Sequence, residues 1–64
     1  MAQLLTTKML SERLEVNQQT LRKWRLSGAG PAYIKLGEGR SSQVRYDIDD
    51  VKKWEQENRF DPQL

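Results

Sequence analysis

Apolar positions fall into short clusters at two different spacings. Leu10 and Leu14 stand one helical turn apart behind Thr6 and Thr7. Either threonine can accept a bond from an unpaired backbone N–H, so the spacing predicts a helix from there to about Leu14. Val16 closes a short connection, and Asn17 is a second good N-cap ahead of Gln18-Gln19-Thr20-Leu21-Arg22-Lys23-Trp24-Arg25. Leu21 and Trp24 share one face of that second helix, which turns Gln19, Arg22 and Lys23 the other way. The helix should stop near Leu26. In Ser27-Gly28-Ala29-Gly30-Pro31, glycine supplies a left-handed terminus and proline blocks resumption.

The spacing then changes to alternation. Tyr33-Ile34-Lys35-Leu36 and Gln43-Val44-Arg45-Tyr46 flank the polar stretch Gly37-Glu38-Gly39-Arg40-Ser41-Ser42, which reads as a β-hairpin. Alternation predicts Ile34, Leu36, Val44 and Tyr46 toward a core, with Tyr33, Lys35, Gln43 and Arg45 facing away. Asp47 can cap a last helix running to about Asn58, with Asp49 and Asp50 in its first turn and Ile48, Val51 and Trp54 as its stripe. Trp24 and Trp54 both read as core residues. The expected fold is α+β: a small winged helix-turn-helix of three short helices and a two-stranded β-hairpin wing. One domain over 1–58 and a frayed tail over 59–64 complete the expectation, with no repeat or low-complexity segment.

Composition narrows the function. A chain of 64 residues holds one small core, too little to enclose a lidded active site. It has no cysteine and no histidine, which removes disulfides, thiol nucleophiles and the usual zinc ligands. No cofactor, no metal and no enzyme activity are expected. Asp47, Asp49 and Asp50 are accounted for as a cap and two first-turn acids, without a magnesium site. No apolar run approaches the roughly 20 residues that span a bilayer, so the expectation is a soluble, cytoplasmic protein with no membrane partner.

Net charge is only +2, but its distribution is uneven. Residues 1–17 balance. Between residues 18 and 46, six bases (Arg22, Lys23, Arg25, Lys35, Arg40, Arg45) oppose Glu38 alone, a net of +5, whereas residues 47–64 carry a net of −3. A concentrated positive middle attracts a polyanion, because each phosphate contact releases condensed counterions. Two short helices about three residues apart are the spacing of a helix-turn-helix, whose second helix enters the major groove of duplex DNA. Arginine pairs in a bidentate way with guanine and glutamine with adenine, so Arg22 and Gln19 are the leading base readers. Gln18, Thr20, Lys23 and Arg25 are further candidates, Lys23 toward phosphate. In the wing, Lys35, Arg40, Ser41 and Arg45 can follow the backbone or the adjacent minor groove, with Arg40 at the tip. Tyr33 as an outward aromatic and Tyr46 through its hydroxyl are weaker candidates.

Leu5-Thr6-Thr7, Leu14-x-Val16, Thr20-Leu21-x-x-Trp24, Gly30-Pro31-x-Tyr33-Ile34-x-Leu36-Gly37, Val44-Arg45-Tyr46 and Asp50-Val51-x-x-Trp54 follow one another in order. The succession resembles the small winged-helix family of phage and mobile-element excisionases, AlpA-like regulators and MerR-like DNA-binding domains. It covers Leu4 to about Glu57. The resemblance implies a DNA reader that works as an oligomer on repeated sites. As an excisionase it would bind and bend DNA for a separate integrase; as an AlpA-like regulator it would act on promoter occupancy. The Tyr-Asp and Val-x-x-Trp pattern is also similar to the DNA-recognition domain of phage terminase small subunits. Glu15 occupies the turn position where such families often place glycine, and Leu10-Ser11 stands where a pair of small alanines is common.

Overall fold

The computed structural model describes residues 3–37 and 43–60. Among the described residues the order is β1 (Leu4–Leu5), α1 (Thr7–Leu14), α2 (Gln18–Ser27), β2 (Ile34–Leu36), β3 (Gln43–Asp47) and α3 (Ile48–Glu57). The α+β winged helix-turn-helix arrangement expected from the sequence is the one that forms. Its sheet has a third strand, however, in the order β1-β3-β2 with both pairings antiparallel. Leu4 and Leu5 lie opposite Asp47 and Tyr46, a pairing between residues too distant in the chain for local pattern to reveal.

All three helices start on side-chain caps. Thr6 accepts from the Met9 amide at 3.0 Å, Asn17 from Gln19 at 2.7 Å and Asp47 from Asp49 at 2.8 Å. Each satisfies one of the donors that a helix leaves unpaired at its start. The first two helices end alike. At α2, the amides of Gly28 (φ 79°) and Ala29 both return to the Trp24 carbonyl. At α1, the amides of Glu15 (φ 56°, ψ 42°) and Val16 both return to that of Ser11. Glu15 therefore adopts the left-handed conformation that glycine would fill, and the turn keeps its usual geometry at a cost of about 1–2 kcal/mol. Ser11 is buried, and its hydroxyl donates to the Lys8 carbonyl at 2.6 Å, so a residue larger than alanine fits there with its polar group satisfied.

Among the described residues, five form the buried core: Leu5, Leu10, Leu21, Tyr46 and Val51, with Leu14, Val16, Trp24, Val44 and Ile48 packed around them. Each of β1, α1, α2, β3 and α3 thus contributes one buried side chain, worth roughly 1.5–3 kcal/mol apiece. Strand β2 contributes none. The expected inward direction of Ile34 and Leu36 is corrected by the register, which places Ile34 opposite Arg45, Lys35 opposite Val44 and Leu36 opposite Gln43. Opposed residues share a face. Because six residues separate Leu36 from Gln43, even-numbered positions on one strand meet odd-numbered ones on the other. Ile34 and Leu36 therefore lie with Gln43 and Arg45 on the outer face, 39% and 43% exposed, while Val44 and Tyr46 face inward. Tyr33 is corrected in the same step: its ring stands 6.3 Å from that of Tyr46 on the inner side, although part of it remains exposed.

The two tryptophans join α2 to α3. Trp24 and Trp54 are half-buried with ring centroids 5.6 Å apart, and buried Pro31 follows Gly30, which lies against the Trp24 side chain. Arg13 of α1 makes a two-bond ion pair with Glu55 of α3, both bonds 3.0 Å long. Among the described residues no helix is long and apolar enough to cross a membrane.

Candidate nucleic-acid interface

Helix α2 has its buried side fixed by Leu21, which is fully enclosed, and by half-buried Trp24. At 100° per residue this leaves Gln18, Gln19, Arg22 and Lys23 exposed, with Thr20 half-buried at the margin. The helix begins on the rigid Asn17 cap and is set against α1 by the Glu15 turn. Its polar side chains are therefore carried on a braced element, which positions contacts more closely than a loop does.

Gln18, Gln19, Arg22 and Arg25 line an open cleft of about 370 Å³ together with Thr7, the first residue of α1. Arg25 and Thr7 are half-buried, whereas the other three are exposed. The Arg25 side chain is held in place. Its Nη1 donates to the Tyr46 hydroxyl at 2.8 Å and, at a longer 3.4 Å, to the Thr7 hydroxyl, and its guanidinium carbon stands 6.0 Å from the Tyr33 ring centroid. The expectation that the Tyr46 hydroxyl faces a DNA phosphate is corrected here: Tyr46 is 1% exposed and that hydroxyl holds Arg25. Thr7 is the cleft residue that sequence reasoning missed. Its role in the sequence is indistinguishable from that of a cap candidate, and only the packing of α1 on α2 brings it beside Arg25.

The wing residues are not brought together as expected. Lys35 lies on the inner face with Val44 and Tyr46, beyond the reach of the core, whereas Arg45 lies on the outer face with Ile34. Arg45 is also engaged locally, donating to the Val44 carbonyl at 2.8 Å and to Gln43 Oε1 at 3.0 Å. Arg40 and Ser41 lie outside the described residues, as does the rest of the hairpin connection from 38 to 42. Asp47 caps α3, and Asp49 and Asp50 sit in its first turn, where a carboxylate is favourable against the helix dipole. The outer sheet face presents Leu4, Ile34 and Leu36, all substantially exposed.

A family model described as a helix-turn-helix domain matches residues 4–59, which takes in all six elements. No curated protein and no solved structure matches the chain.

Proposed function

Because the chain belongs to the helix-turn-helix domain family, a DNA-binding family that includes excisionase and AlpA-like proteins, we propose that it reads duplex DNA by sequence and serves as an excisionase. In this reading α2 lies in the major groove. Arg22 and Gln19 read base edges, Gln18, Thr20 and Lys23 supply flanking contacts, and Arg25 works from the cleft wall. One of Lys35 and Arg45, which lie on opposite faces of the hairpin, meets the neighbouring backbone or minor groove, and Arg40 and Ser41 are assigned to the same contact from the sequence alone. The observation that carries the reading is the exposed row Gln18, Gln19, Arg22 and Lys23 on a capped, braced helix whose opposite side is sealed by Leu21. The DNA is held and bent for a separate integrase, and no chemistry is done by this chain.

Self-association on repeated sites belongs to the same proposal. It is supported by the exposed apolar outer sheet face and by the contrast between a basic middle of the chain and an acidic end. The test is a mobility-shift series with circularly permuted fragments of a selected target duplex at stated salt. Discrete, cooperative complexes whose mobility depends on site position are expected. Sequence-specific binding without bending would leave promoter occupancy, the AlpA-like mode, as the function. Retention of no duplex at low salt would remove DNA reading altogether.

A further inference from the structure

The cleft beside α2 contains a cation whose surroundings are incomplete. Arg25 is half-buried, yet among the described residues no carboxylate lies within ion-pair distance of it; the ion pair found there joins Arg13 to Glu55. Both of its hydrogen bonds leave from Nη1 and end on neutral hydroxyls, those of Tyr46 and Thr7. A guanidinium has five donors in a rigid fork. Its Nε and Nη2 edge makes no hydrogen bond among the described residues, on a side chain that lines the cleft with Arg22. Partial burial removes hydration that the two hydroxyls replace only in part. An anion entering the cleft would restore it, and an Nε–Nη2 edge can make two parallel bonds to one.

We infer that this cleft is a binding site for one DNA phosphate, with Arg25 as the anion-holding group and Tyr46 and Thr7 as positioning residues. The inference rests on the DNA-reading function proposed above and gives it a fixed point. Tyr46 is a core residue, so its hydroxyl ties the phosphate contact to the same buried cluster that seats α2. The recognition helix is thereby registered on the duplex by a contact that carries no sequence information, leaving base choice to Gln19 and Arg22.

The experiment measures affinity against salt for a selected duplex and a random-sequence duplex, using the full chain as wild type, Arg25→Gln, Arg25→Lys and Tyr46→Phe. Thermal melts are run on each variant. Arg25→Gln should weaken both duplexes by a similar factor, about tenfold, and lower the salt slope by about one. Arg25→Lys should keep the slope while losing part of the affinity, because an ammonium cannot make the paired contact. The decisive arm replaces single phosphates by neutral methylphosphonates. One position should weaken wild type strongly, Tyr46→Phe less, and Arg25→Gln not at all. An Arg25→Gln protein with a native melt, an unchanged slope and the wild-type methylphosphonate profile would overturn the site and reduce Arg25 to a structural link. If Arg25→Gln does not fold, equal methylphosphonate profiles for wild type and Tyr46→Phe, together with an unchanged affinity for Arg25→Lys, overturn it instead. In either case wild type still binds DNA, so the reading beneath survives. Wild type binding an acidic peptide but no duplex would overturn both.

Discussion

Gly30 lies so close beneath Trp24 that a Cβ on it would stand 2.9 Å from Cε3 and 3.2 Å from the tryptophan's own Cβ. The glycine also has φ 80°, where an L side chain is strained. Gly30→Ala is therefore expected to destabilise the domain by about 2–5 kcal/mol, the sum of overpacking and backbone strain. Gly28 is the control: it has φ 79° but nothing within 4 Å of its would-be Cβ. Gly28→Ala should cost only the strain, about 1–2 kcal/mol. Urea denaturation of the two variants, followed by tryptophan fluorescence, measures the difference. Equal losses would mean that the indole moves aside freely.

Glu15 makes the opposite prediction. Its left-handed backbone is kept without a glycine, and its side chain is exposed. Glu15→Gly should stabilise the fold by about 1 kcal/mol, less than the full strain because glycine also loosens the unfolded chain. For a domain of this size that corresponds to a rise of about 4–8 °C in midpoint. A lower midpoint would show that the Glu15 side chain makes a stabilising contact.

The Arg13–Glu55 pair predicts an acid dependence. Hydrogen bonding from Arg13 holds the Glu55 carboxyl below its ordinary value of 4.5. The sign follows from linkage: a carboxylate depressed in the folded state contributes stability above its unfolded value and loses it as pH falls through the folded one. Stability should thus decline as pH is lowered from about 4.5. Glu55→Gln should flatten part of that decline and change little at pH 7, because an exposed pair is well screened. Melting curves of both proteins between neutral and acid pH test this; identical pH profiles would count against the pair.

Arg22 and the wing are separable by the kind of loss each produces. Arg22→Ala should relax preference at one base position, by about 1–3 kcal/mol of discrimination. Lys35→Ala and Arg45→Ala should leave preference intact, and since they lie on opposite faces of the hairpin, only one of them should reduce the salt slope, by about one unit. Binding to an array of single-base variants at two salt concentrations resolves the three. Equal slope changes for Lys35 and Arg45 would mean that the hairpin enters the groove edge-on.

The parts of this fold that were legible in the sequence are those decided within one turn of chain. Thr6, Asn17 and Asp47 cap because a short side chain meets an amide two or three residues on. Leu21 could be set against Gln19, Arg22 and Lys23 because helical spacing fixes faces locally. What failed depends on parity across a gap. The alternation of each strand was right, but which face of β2 joins which face of β3 turns on whether the connection is even or odd, and apolar content alone does not determine that. The pairing of Leu4-Leu5 with β3 and the convergence of Thr7, Arg25 and Tyr46 are likewise tertiary. For the site, the exposed row on α2 could be read directly, whereas the cleft beside it required knowing how α1 lies.

Asp47 closes β3 opposite Leu4 and caps α3, while the next amide, that of Ile48, donates to the Gln3 carbonyl at 2.8 Å. No spare residue stands between strand and helix. Inserting or deleting one amino acid there would slip Leu4 from its partner, uncap α3 and swing Tyr46 out of the core in a single event. Changes of length in this domain are therefore expected to be tolerated in other connections and not at Asp47.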